Sequence, residues 1–156
     1  DLIDQTSLDL QYTTGPWLLK FEGLTRSGQG DRFVAAVGGF EYTFFGLGES
    51  DIDLGLLAEY LHDGRDDKAP QTPFEDDVFL GTRLTFNDME DTEILAGVIL
   101  DVDQQERIFS LEFERRLNDN LSLEIESQIY DNVDEDDLLG GFARDSFIEV
   151  RLSWYF

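Results

Sequence analysis

The chain has 156 residues, enough for one domain, and with 41% of them hydrophobic and 13 Phe it is not compositionally disordered. Its 35 acidic and 11 basic residues give a formal charge of −24, which excludes docking on nucleic acid or an anionic surface through a basic patch. The absence of cysteine excludes a disulfide framework and a thiolate metal site, and no run of about 18 apolar residues is present to make a transmembrane helix, a criterion that does not reach transmembrane strands.

The opening "DLIDQTS" has neither a basic stretch nor an apolar one, so no secretory leader is read there. From then on apolar and polar residues alternate in segments of about 8 to 12 residues, separated by Gly, Asp, Asn or Pro clusters, the signature of strands. The spacing predicts strands over Thr6–Thr13, Pro16–Arg26, Arg32–Phe45, Asp51–His62, Asp77–Phe86, Thr92–Val102, Glu106–Leu117, Leu121–Tyr130 and Ser146–Phe156. Alternation is cleanest late in the chain. Phe109, Leu111 and Phe113 oppose Ser110, Glu112 and Glu114, and Leu121, Leu123 and Ile125 oppose Ser122, Glu124 and Glu126.

Tight connections ("TTGP", "FGLGES", "FNDMED", "LNDN") alternate with longer polar ones ("RSGQGD", "HDGRDDKAPQTPFED", "DNVDEDDLLGGFARD"), with "DVDQQ" short where a long loop is due. Short turns at one end and long acidic loops at the other describe an all-β, antiparallel up-and-down barrel of outer-membrane type. A soluble lipocalin-like barrel has the same periodicity. Two features favour the membrane barrel: the lopsided loops, and the aromatics Tyr12, Trp17, Tyr42, Phe44, Tyr60, Phe86, Trp154, Tyr155 and Phe156 near strand ends, where interfacial girdles lie.

The last segment adds a third. "VRLSWYF", with Val150, Leu152, Trp154 and Phe156 at every second position, resembles the C-terminal strand that outer-membrane β-barrels present to their assembly machinery, and the whole is similar to porin-like proteins of Gram-negative bacteria. The resemblance implies a bacterial outer-membrane location. It also implies contact with outer-membrane lipid, lipopolysaccharide and the barrel-assembly machinery, and association into homo-oligomers or with another membrane protein. It places Phe156 in the periplasm and, counting back over nine strands, puts "DLIDQ" outside. Bacterial barrels have even strand numbers, so residues 1–156 are expected to be a single barrel domain or the C-terminal part of a larger one. The alternative is that the residues before Pro16 are peripheral and eight strands close by themselves.

On the barrel reading the lumen-facing set is Lys20, Glu22, Arg26, Glu41, Asp53, Glu59, Arg83, Glu112, Glu114, Arg116, Glu124, Glu126, Glu149 and Arg151, with acids outnumbering bases about two to one. Such a lining suits a water-filled, cation-favouring passage for small polar or cationic solutes. The same residues paired off among themselves would instead plug a narrow barrel and leave a structural or partner-binding role.

The acidic loops offer oxygen ligands for weak Ca²⁺ or Mg²⁺ binding, but neither candidate keeps the EF-hand pattern. Asp137 stands at the glycine position of "DNVDEDD", and Glu106 at that of the Asp101–Glu112 segment. His62, the single histidine, adjoins Asp63 at a loop mouth, a faint echo of a catalytic dyad. No Gly-x-Ser-x-Gly element, second histidine or phosphate-binding glycine loop accompanies it, so no enzyme activity and no cofactor are expected.

Overall fold

The computed structural model describes residues 2–66, 68–102, 106–133, 138–142 and 144–156. The alternating segments form nine strands: β1 (Asp4–Thr14), β2 (Trp17–Ser27), β3 (Phe33–Phe44), β4 (Asp53–Asp63), β5 (Asp76–Thr85), β6 (Glu93–Asp101), β7 (Arg107–Asn118), β8 (Leu121–Asp131) and β9 (Phe147–Trp154). They pair in sequence order into one antiparallel up-and-down sheet. Most boundaries fall within two residues of the expected ones, because period-2 alternation names both the strand and the face each residue occupies.

The expected closed barrel is not what the nine strands make by themselves. β1 pairs only with β2 and β9 only with β8, so the sheet is open. Asp4 lies opposite Ser27 and Trp154 opposite Leu121, and an odd count makes the two edge strands run in the same direction. The alternative with a peripheral N-terminal segment is overturned, since all of Asp4–Thr14 is in register with β2.

The two-residue connections are well built. Gly15, at φ +55°, gives the positive φ that a hairpin turn compatible with strand twist requires. At the β7–β8 turn, Asn118 Oδ1 accepts from the Asn120 N–H at 3.0 Å, and Asn120 in turn holds Tyr155 through Tyr155 N–H to Asn120 O and Asn120 Nδ2 to Tyr155 O, both 2.8 Å. Tyr155 is thus tied to a turn.

The expected asymmetry of the connections is weaker than the sequence suggests. Residues 45–52 and 86–92, at the turn end, are longer than 28–32 and 102–106 at the loop end, because strands stop where Gly46 and Asn87 take positive φ. Only 64–75 and 132–146 stand out as long loops.

Directly paired residues point to the same side of a sheet, so the register sorts every strand residue onto one of two faces. One face is apolar. Leu8, Leu10 and Tyr12 lead through Leu19, Phe40, Ala58, Leu80, Val98, Phe109 and Ile129 to Ile148, Val150, Leu152 and Trp154. Ser127, a hydroxyl within this face, is satisfied by donating to Phe147 O at 3.1 Å.

Among the described residues nothing covers this face: Leu10 is 54% exposed, Val150 62% and Trp154 74%. The chain exposes 10633 Å², where a folded monomer of 17.8 kDa leaves about 8,000 Å². Among the described residues no large side chain is fully buried, and the buried hydrophobics reduce to Phe33, Ala69 and Ile108. The sheet has two surfaces and almost no core.

Candidate functional site: the carboxylate-rich face

The opposite face collects the charges. Lys20 and Glu22 on β2, Glu41 on β3, Asp53 and Glu59 on β4, Arg83 on β5, Glu112 and Glu114 on β7, Glu124 and Glu126 on β8, and Glu149 and Arg151 on β9 all project to the same side by register. Val150, Leu152 and Trp154 lie on the apolar side, while Phe156 follows the end of β9.

Over β6–β9 the charges stand in two rows. Glu93, Glu114, Glu124 and Arg151 face each other in succession, and beside them Glu112, Glu126 and Glu149 do the same. Directly opposed like charges destabilise a sheet, so folding alone gives no reason for these rows. Arg151 relieves part of the repulsion, with Nη1 3.1 Å from Glu124 and Nη2 2.6 Å from Glu149. Glu112, Glu114 and Glu126 have no ion-pair partner among the described residues. These side chains border a groove of about 280 Å³. Glu93, absent from the expected set, is assigned to it by the same parity, one position before Ile94.

Over β2–β5 the same face is built differently. Gly55 has no side chain where Glu41 and Arg83 approach over it; an added Cβ would lie 2.8 Å from Glu41 Oε1, and the pair sits at 4.0 Å. The Phe79 ring lies over Gly81 and Gly97, occupying the space a Cβ would need at 2.7 and 2.4 Å. Asp77 and Asp101 oppose each other at the loop end. Asp77 is 2% exposed with one carboxylate oxygen lacking a hydrogen-bond partner, and Glu106 nearby is 4% exposed. Sequence reasoning missed the burial of Asp77 and Glu106 because Pro73 and Phe74 of the preceding loop and Leu139 of a later one come to the same place.

That loop, 64–75, folds against the sheet. Gly64 N–H donates to Val34 O at 2.9 Å, and the Arg65 guanidinium pairs with Asp63 while lying 5.2 Å over the Phe33 ring. The hydrogen bond to Asp63 raises the Arg65 pKa against the opposing effect of burial. Burial works against ionisation of Asp66, yet the backbone N–H groups of Asp31, Lys68 and Ala69 hold its carboxyl below the usual range.

His62 does not use its sequence neighbour, because adjacent strand residues point to opposite faces. Asp63 serves Arg65, while His62 Nδ1 lies 2.8 Å from Asp76 Oδ1, which also accepts from the Tyr60 hydroxyl. This trio sits on the apolar side at the loop end, in line with the Arg107–Asp131 pair at 3.7 Å. At the turn end Arg115 faces Asp88 and Glu90, each at 3.9 Å. Charges therefore bound the apolar band at both ends.

Among the described residues no three His, Asp or Glu side chains are grouped to hold a metal ion; Asp103 and residues 134–137 of the acidic loops lie outside the described residues. No protein-family model, no curated protein and no solved structure matches this chain.

Proposed function

We propose that this chain forms the wall of a bacterial outer-membrane β-barrel that passes small polar or cationic solutes passively, without enzymatic chemistry, and that further strands complete the ring. One observation carries the reading: a single sheet with a continuous, uncovered apolar surface on one side and carboxylate rows on the other. Lipid accounts for the first side and a water-filled passage for the second.

The dimensions support it. From Leu54 to Tyr60, or from Ile148 to Trp154, the apolar stretch is about 20 Å along the strand, and ionised or aromatic residues flank it. Trp17, Tyr42 and Phe44 cluster at the turn end, with ring centroids 4.7 Å apart between neighbours, as an interfacial girdle would. Open edges support closure by additional strands, since unpaired backbone groups in hydrocarbon each cost several kcal/mol, roughly.

The second reading, a plugged structural or partner-binding barrel, draws on the Glu41–Arg83 and Arg151 pairs. It leaves Glu112, Glu114 and Glu126 without cationic partners among the described residues, so the passage is the better account. Planar-bilayer recording tests it: stepwise, cation-selective currents are expected from the reconstituted protein, and a silent bilayer would overturn the proposal.

A further inference from the structure

A second cavity on the polar face lies away from the glutamate rows. It measures about 420 Å³, and Asp9 and Glu22 line it together with Val37, Leu61, Thr72 and Phe74. That is within the range of small-molecule sites, roughly 300–1,000 Å³. Asp9 and Glu22 stand directly opposite each other across β1 and β2, Val37 and Leu61 continue the same row on β3 and β4, and Thr72 and Phe74 reach in from the 64–75 loop.

Charge decides what fits. Asp63 also borders the space but is engaged by Arg65. Neither Asp9 nor Glu22 has an ion-pair partner among the described residues. The His62 ring turns to Asp76 on the other side of the sheet, the Arg65 guanidinium is held by Asp63, and Lys20 lines an adjoining space of about 380 Å³ with Glu22 and Glu59.

We infer that this trough binds small organic ammonium ions with an apolar body, the charge seated between Asp9 and Glu22 and the body over Val37 and Leu61 against Phe74. An anion would meet two opposed carboxylates. A bare divalent cation would gain nothing from an apolar floor, because it needs several oxygen ligands. An ammonium relieves the cross-strand repulsion, and its body gains the aliphatic contact and the Phe74 ring. The inference rests on the passage reading in taking this face as solvated, and it names a solute class for that passage.

The test is isothermal titration of the full chain in detergent micelles at low salt with phenethylammonium, using empty micelles as blank. Saturable one-to-one binding is expected, with ethylammonium and 2-phenylethanol each at least about tenfold weaker because each lacks one half of the recognition. Glu22→Gln should weaken phenethylammonium about threefold to fivefold, the size of one partly solvated ion pair; Phe74→Ala should weaken it as well, and Asp119→Asn, at the β7–β8 turn, should leave it unchanged. Asp9→Asn, on the exposed edge strand, repeats the charge test if Glu22→Gln fails to fold. Absence of saturable heat, equal binding of 2-phenylethanol, or indifference to neutralising Asp9 and Glu22 would overturn the inference. Binding by a protein that carries no current would overturn the passage and leave the trough; current without binding would do the reverse.

Discussion

The two halves of the polar face handle the same problem in opposite ways. Across β2–β5, charges are paired or spaced by glycine and aromatic packing: Glu41 meets Arg83 over Gly55, and the Phe79 ring covers Gly81 and Gly97. Across β6–β9, six glutamates have Arg151 among them, while Arg116 on the same face is engaged by Asp91. The first half pairs Glu41 but leaves Glu22 without a cation, and the second leaves Glu112, Glu114 and Glu126 so among the described residues. Directly opposed glutamates break a local pairing rule, and such rules are most often broken where function requires it.

The largest expected effect breaks the pairing of an apolar side with a charged one. Val98→Arg, mid-strand on the apolar face, should lower unfolding free energy in lipid vesicles by about 2–4 kcal/mol, while Gln128→Arg on the opposite face should change it by less than about 0.5 kcal/mol. Urea midpoints at constant slope check both. Next is the packing of the Phe79 ring where β5 meets β6. Gly97→Ala drives a Cβ to 2.4 Å from the Phe79 ring and should cost about 1–3 kcal/mol. Phe79→Leu in the same chain should recover part of that loss in thermal melts.

Removing Arg65 sharpens the comparison at the loop end. Arg65→Ala loses the Asp63 pair and the Phe33 contact, for about 1–2 kcal/mol, and hydrogen exchange of residues 64–75 should accelerate while β7–β9 stays unchanged. The smallest effect is a pH dependence at the turn end. The Thr92 N–H and hydroxyl, at 2.8 and 2.7 Å, hold the Asp88 carboxyl below its usual pKa. A depressed folded-state pKa stabilises the fold above the unfolded value, about 3.9, and the contribution fades as pH falls below it. Acid melts of Asp88→Asn should accordingly lose less stability between neutral pH and the acid limb than the unaltered chain does.

Much of this was legible in the sequence because a β-sheet is written in parity. Once Ile125 and Glu126 are assigned to opposite sides, register carries the assignment from strand to strand, and all fourteen charges of the expected set, Lys20 to Arg151, reach one face. Parity also reaches Glu93 and Asp9, which were passed over only because their strands alternate less cleanly. What parity cannot carry is anything set by contacts between segments distant in sequence. Closure depends on what meets the free edges of β1 and β9. The burial of Asp77 depends on the 64–75 loop folding back, and the His62–Asp76 pair on two strands joined by that loop. The length of the 45–52 and 86–92 connections follows from where Gly46 and Asn87 take positive φ, a local feature the loop composition does not reveal.

The central claim is that the apolar face meets lipid and the glutamate face meets water. Because the chain contains no cysteine, single cysteines from Ile108 to Glu114 can each carry a nitroxide in lipid vesicles, with collision rates measured against oxygen, which concentrates in the bilayer, and against a water-soluble nickel chelate. The account predicts strict alternation, with positions 109, 111 and 113 favouring oxygen and 110, 112 and 114 favouring the chelate. Uniform exposure to the chelate, or alternation of the opposite phase, would contradict it.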